Sequence, residues 1–286
     1  MSRPHDGARY AAVIGHPVAH SKSPALFARF AAVSGVVLEY EAVDVLPEEL
    51  AETLMRWRAM PEFVGCNVTL PHKERALALA DRVEPAARAC GAANVLTRED
   101  GALVAGNTDV AGVESALAQH GVALRGVRVA IIGAGGAARA VAEAARRNGA
   151  AEIVVGARDP ARAAALAADF DTAASAADFD AAASAVDFGD SALTAGVGAA
   201  AHGGSRAIAC ALEDVPVADV YVNATPVGMH GQPQISLLPA NAPSGAAAFD
   251  LVYTPEETPF LIDARARGMV TVPGTAMFVA QAVATW

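Results

Sequence analysis

"GVRVAIIGAGGAARAVAEAARRNGAAEIVVGARD" occupies residues 126–159, and its reading decides the fold. Residues 127–132 form an apolar run of the length of a buried strand. Gly133, Gly135 and Gly136, with Ala134 and Ala137 between and after them, read as a tight turn. Residues 137–147 have helical composition and stop at Asn148-Gly149, and residues 152–158 form the next strand. Strand, glycine turn, helix and strand in this order make a βαβ unit. The turn lies where the pyrophosphate of a dinucleotide meets a helix N-terminus. A glycine pattern alone is a weak signal, and its place between a strand and a helix is what gives it force.

The same alternation runs through the N-terminal part. "RYAAVIG" (9–15) is an apolar strand, and "SPALFARFAAVSG" (23–35) is a helix with Ser23 as N-cap, Pro24 in the first turn and Gly35 as its stop. Strands at 38–45 and 63–71 alternate with helices at 46–60 and 72–83. This predicts α/β architecture with a largely parallel sheet. Strands followed by loops return at 218–229 and 246–255, and an apolar helix closes the chain. Residues 165–205 differ, being rich in Ala, Ser, Asp and Gly, with "DF" recurring at 169, 178 and 187. Three copies of so short a period are too few for a solenoid, and the segment reads as an expanded surface stretch.

Composition bounds the function. The 286 residues suffice for two ordinary domains. Aromatic residues make up only 5% of the chain, so the core is expected to be built from Val, Leu, Ile and Ala. A net charge of −10 argues against nucleic acid or an anionic membrane as partner. Cys66, Cys90 and Cys210 show neither a paired motif nor metal-ligand spacing, which predicts reduced thiols and no metal. No secretory signal and no membrane span are legible, so a cytoplasmic protein acting on a small molecule is expected.

Candidate chemistry gathers at the ends of apolar runs. "NVTLPHK" carries Asn67, Thr69 and Lys73 at a strand end, the usual place for ligand contacts in α/β proteins. Asn94, Asn107, Thr108 and Asp109 lie in or beside short strand-like segments, and Ser21 and Ser23 flank a lysine before the first helix. Each residue alone reads as a turn former, a cap or a solvated charge. Together, the chain resembles the shikimate dehydrogenase family. The motifs that carry the resemblance run in order: "IGHPVAHSKSP" (14–24), "NVTLPHK" (67–73), "GAANVL" (91–96), "GNTDVAG" (106–112), "IGAGGAARA" (132–140), "NATPVGM" (223–229), "DLVYTPEETPFL" (250–261) and "MFVAQA" (277–282).

The resemblance implies a two-domain enzyme that reduces 3-dehydroshikimate to shikimate with NADPH, reversibly. It implies an N-terminal substrate domain over residues 1–115 and a Rossmann-like NADP domain over 116–255. Residues 256–286 would return to the first domain. The implied catalytic pair is Lys73 and Asp109. Hydride delivered to a ketone leaves an alkoxide, which needs a proton and a nearby positive charge, and a lysine supplies both. Ser21 and Ser23 would hold the substrate carboxylate. Asn67, Thr69, Asn94 and Asp109 would meet ring hydroxyls, and Tyr253 and Gln281 would complete the pocket. Cofactor contacts are implied at Gly133, Ala134, Gly135, Gly136, Ala137, Arg158, Asn223, Ala224, Thr225, Val252, Gly274 and Met277.

Arg158 lies about 22 residues beyond Gly136, where an NAD enzyme of this fold often places an acid. A guanidinium there suits the 2′-phosphate of NADP. Asp159, next to it, either repels that phosphate or caps the helix starting at Pro160. The family's glycine before the methionine is Ala276 here. Two further readings stay open: a quinate dehydrogenase of the same family using NAD or both cofactors, and a non-catalytic sensor of a metabolite or dinucleotide. The latter predicts loss of Lys73 or Asp109, and both are present. Monomer and homodimer are both compatible with the sequence.

Overall fold

The strand β1 (Arg9–Gly15) is apolar almost throughout, as expected of a strand covered on both faces. It lies inside a six-stranded sheet of order β2-β1-β3-β5-β6-β4, with β2 at Leu38–Asp44, β3 at Phe63–Val68, β4 at Arg82–Val83, β5 at Val95–Glu99 and β6 at Ala102–Gly106. This computed structural model describes residues 8–171 and 205–286. The second and third copies of the "DF" repeat, and with them most of the expected surface stretch, lie outside the described residues.

The first sheet is largely parallel as expected, except around β5, which makes it mixed. β1 pairs in parallel with β2 and β3, whereas β3/β5 and β5/β6 are antiparallel. The cause is a hairpin at Asp100-Gly101, where both residues take positive φ (51° and 80°), the requirement of a tight two-residue turn. Helices α1 (Ser23–Ser34), α2 (Leu50–Arg58), α3 (Lys73–Leu79) and α4 (Pro85–Cys90) accompany this sheet.

The second sheet is wholly parallel, in the order β12-β11-β10-β7-β8-β9. It comprises β7 (Arg128–Ile132), β8 (Glu152–Ala157), β9 (Arg206–Ala211), β10 (Val220–Asn223), β11 (Ala247–Asp250) and β12 (Val270–Val272). Counted along the chain, this is the doubly wound dinucleotide-binding order, whose direction reverses at β7. The crevice at that switch point receives the turn leading into α6 (Gly136–Arg147).

The C-terminal segment divides. α8 (Pro259–Ala266) packs on β11 and β12 and completes the second sheet, and only α9 (Gly274–Thr285) runs back toward the first. α9 lies along α5 (Asp109–Gln119), the helix that leads out of the first sheet. The contact is close: a Cβ on Gly112 would sit 3.0 Å from Gln281 Cβ and 3.1 Å from the Met277 carbonyl. Trp286, following α9, packs against Phe27 and Phe30 of α1.

The end of β11 is fixed by a fully buried carboxylate. Asp250 Oδ1 accepts from Asn223 Nδ2 and from the Val252 N–H, both at 2.9 Å, and Oδ2 accepts from the Thr258 hydroxyl at 2.6 Å. Burial raises the Asp250 carboxyl to about 6 against the pull of these three bonds. The folded state therefore holds this proton more tightly than the unfolded chain does. Stability from this group is full below the ordinary carboxyl range and falls as pH rises toward about 6. Chemical denaturation across this window should show the wild type losing roughly 2–3 kcal/mol relative to Asp250→Asn. Parallel pH profiles for the two proteins would refute the assignment.

Candidate active site

The loop between β1 and α1 carries the two serines. Ser23 is the first residue of the helix rather than its cap. Lys22 holds the cap position, and Ser21 Oγ accepts from the Ser23 N–H at 3.2 Å. The loop is tethered to the end of β2, where Asp44 Oδ1 meets His16 Nδ1 at 2.6 Å and Oδ2 accepts from the Val18 N–H at 3.1 Å. The His16 hydrogen bond holds the Asp44 carboxyl below the usual range.

Lys73 opens α3, behind His72, whose buried ring bonds the Val45 carbonyl through Nε2 at 2.7 Å. The Lys73 ammonium donates to Asp109 Oδ2 at the start of α5. Both side chains are nearly out of solvent, at 11% and 6% exposure. Asp109 Oδ1 accepts from Asn94 Nδ2 at 2.9 Å, and Asn94 Oδ1 accepts from the Thr108 N–H at 2.8 Å. Asn107 turns away from the cleft: its Oδ1 accepts from the Asp109 N–H at 3.0 Å and its Nδ2 donates to the Ala92 carbonyl at 2.8 Å. It sets the backbone of the site. A charge pair this buried survives only with its remaining lone pairs satisfied, and Asn94 does that for Asp109.

A cavity of about 350 Å³ joins the two halves of the molecule. Ser21, Ser23, Asn67, Thr69, Lys73, Asn94 and Asp109 line it from the first sheet and its helices. From the second half come Ala137, Ala224, Thr225, Val252, Tyr253, Gly274, Met277 and Gln281. Tyr253 stacks on Phe278 at 4.4 Å, and its phenol is raised by burial while hydrogen bonds from Ser21 and the Lys22 N–H oppose the shift. Phe278 lines this cavity although it was not singled out in the sequence, and Tyr40, also not singled out, lies behind it against Asn67. A larger groove of about 930 Å³ over β2 and α2 is lined by acidic residues and holds none of the candidate residues.

The glycine turn abuts the catalytic candidates. A Cβ on Gly136 would lie 2.9 Å from Lys73 Cβ, and one on Gly133, at φ 118°, would meet the Ala224 carbonyl at 3.0 Å. On Gly135 it would meet nothing, so that face of the turn is open, and α6 begins with no side-chain cap on its N–H groups. Ala134 packs against the apolar core behind the turn, as does Ala276 in α9. Arg158, at the end of β8, is exposed and makes no hydrogen bond or ion pair among the described residues. Asp159 is the cap of α7 (Pro160–Phe170), its Oδ1 accepting from the N–H groups of Ala161 and Arg162 at 3.0 and 3.2 Å. Asn223 stands apart from the cavity. It is buried, with Oδ1 accepting from the Thr225 hydroxyl at 2.7 Å and Nδ2 donating to Asp250 and the Val227 carbonyl, and so it shapes the 224–229 loop. An open glycine face, uncapped helix N–H groups and a free guanidinium suit a dinucleotide carrying an extra phosphate.

Known proteins resemble this chain over most of its length. Residues 13–96 match the family described as shikimate dehydrogenase substrate binding domain, and residues 128–190 match the family described as NADP oxidoreductase coenzyme F420-dependent. A shikimate dehydrogenase (NADP(+)) of Mesorhizobium japonicum is 39% identical over 97% of this chain and 89% of its own length. The structure of shikimate 5-dehydrogenase from Thermus thermophilus, in complex with NADP(H) and shikimate, superposes with a TM-score of 0.72 at 36% identity, over 96% of this chain and 90% of that one. Shikimate 5-dehydrogenase from Listeria monocytogenes, in complex with shikimate and NAD, gives a TM-score of 0.77 at 26% identity, over 99% and 91%. With relatives this similar spanning both sheets and the cleft between them, the chain belongs to the shikimate dehydrogenase family.

Proposed function

We propose that this protein is an NADP-dependent shikimate dehydrogenase, reversibly reducing 3-dehydroshikimate to shikimate. The observation that carries the reading is the buried Lys73–Asp109–Asn94 network, set between the serine loop and the glycine turn. When bound, the nicotinamide supplies and accepts the hydride. The remaining work falls to the chain. Ser21 and Ser23 hydrogen-bond the substrate carboxylate, and Asn67, Thr69 and Asn94 take ring hydroxyls. Tyr253 and Gln281 close the pocket from the other half.

Lys73 Nζ donates to the ketone oxygen and, as the alkoxide forms, gives it a proton. In the oxidative direction the same nitrogen takes that proton back. Asp109 accepts a hydrogen bond from the ammonium and so orients it toward the reacting oxygen. Gly133, Gly135 and Gly136 admit the pyrophosphate, and Arg158 pairs with the 2′-phosphate.

A second reading concerns the cofactor. The relative from Listeria monocytogenes is described in complex with shikimate and NAD, which supports some use of NAD. We further propose cytoplasmic action on small molecules as a monomer or homodimer. No helix among the described residues is long and apolar enough to cross a membrane. We propose a substrate domain at residues 1–115, a nucleotide domain at 116–255 and a C-terminal segment at 256–286 whose α9 returns to the first.

Initial rates with shikimate and quinate, each with NADP+ and NAD+, test the reading. Shikimate with NADP+ should dominate. Dominance of quinate with NAD+ would replace it, and cofactor binding without turnover in any pair would mark a sensor. Lys73→Ala should lower turnover by roughly 10²–10⁴-fold while leaving NADP+ affinity unchanged in titration. Equal loss of both in a folded variant would remove Lys73 from its role. Arg158→Ala should weaken NADP+ by about tenfold or more and leave NAD+ unaffected, and equal weakening of both would remove the phosphate contact.

A further inference from the structure

The two serines of the β1–α1 loop each meet a phenol. Ser21 contacts Tyr253, and Ser23 contacts Tyr40 on β2. Each phenol ring is stacked on a phenylalanine at 4.4 Å, Tyr253 on Phe278 and Tyr40 on Phe27. Tyr253 lines the cavity, but Tyr40 does not. It lies behind the site and donates its O–H to Asn67 Oδ1 at 2.7 Å.

An asparagine amide presents a donor on one side and an acceptor on the other, and its neighbours decide which faces a ligand. With Oδ1 committed to Tyr40, the NH₂ is the end of the Asn67 amide left to meet a ligand in the cavity that Asn67 lines. Among the described residues that NH₂ has one partner, the Thr285 hydroxyl at 3.5 Å, at the limit of a hydrogen bond, which leaves donor capacity for a ligand. Burial raises the Tyr40 phenol far above its ordinary value, so it stays protonated, and hence a donor, throughout the neutral range.

We propose that Tyr40 is a positioning residue that fixes the Asn67 amide, so that Asn67 acts as a hydrogen-bond donor to a substrate ring oxygen, and that its other contact sets Ser23 in register with Asn67. The inference rests on the reading of Asn67 and Ser23 as substrate contacts. It assigns a specificity role to a residue outside the cavity. With the amide fixed this way, the pocket favours a ring oxygen that accepts at this position and disfavours an analogue with nothing there.

Tyr40→Phe keeps the ring and its stack on Phe27 and removes only the hydroxyl. In this variant the KM for shikimate should rise about tenfold, with a smaller change in kcat and none in the KM for NADP+. When Asn67 is already Ala, the same change should add nothing to the shikimate KM. In ligand-free protein, the Asn67 side-chain amide signals in a ¹⁵N-correlated spectrum should be single in the wild type and shifted or split in Tyr40→Phe. Unmoved amide signals overturn the proposal, as does a KM rise of equal size in the Asn67→Ala background. The amide readout uses no substrate, so a wild type inactive on shikimate counts against the proposed function while the spectrum still decides the role of Tyr40.

Discussion

A buried ammonium and a buried carboxylate hold each other in place, and much of this molecule serves to bring them together. Lys73 starts α3 from the first sheet, and Asp109 starts α5, the helix that leaves that sheet. Neither charge is tolerable alone at such low exposure, since removing one partner strands the other. Asn94 at the foot of β5 and Asn107 at the end of β6 keep Asp109 aimed, one by its side chain and one through its backbone. The hairpin that makes the first sheet mixed is therefore part of the candidate site, because its two strands deliver one asparagine to the Asp109 carboxylate and the other to the Asp109 backbone N–H.

The two halves use different materials. Around the first sheet, aromatic rings cluster: Tyr10, Trp57 and Phe63 on one side, Phe27, Tyr40 and Trp286 on the other. The second sheet is packed largely by alanine and branched aliphatics, with α6 burying a row of alanines against it. Small side chains let a helix approach a sheet closely. That closeness also lets the start of α6 reach Lys73 with only a glycine hydrogen between them.

The doubly wound half was legible because its signals are local. Residues 126–159 contain a strand, a turn, a helix and a cap in unbroken order, and Asp159 caps α7 through its own neighbours' N–H groups. The hairpin at Asp100-Gly101 had a local signal as well, but its strands are five residues each and carry too little period to stand out. The motif residues Ser21, Asn67, Lys73, Asn94 and Asp109 do line one cavity, yet no spacing rule would have joined them, because strand pairing and helix packing across long separations do so. Tyr40 lay beyond reach for the same reason. Only the β1–β2 and β1–β3 registers bring it beside Asn67, 27 residues away.

The contact of α5 with α9 at Gly112 bears on how such an enzyme can change over time. α5 begins with the proposed proton-handling carboxylate. α9 begins at Gly274, and its Gly274, Met277 and Gln281 all line the cavity between the halves. The two helices touch so closely at Gly112 that a methyl group there would push against Gln281 and the Met277 carbonyl. The halves are consequently not interchangeable modules. A nucleotide half borrowed from another dehydrogenase would bring a foreign α9, and with it a foreign wall for the substrate. The proposed cofactor contacts and the proposed substrate contacts are thus joined through one seam, and a change to either half has to preserve the fit at Gly112.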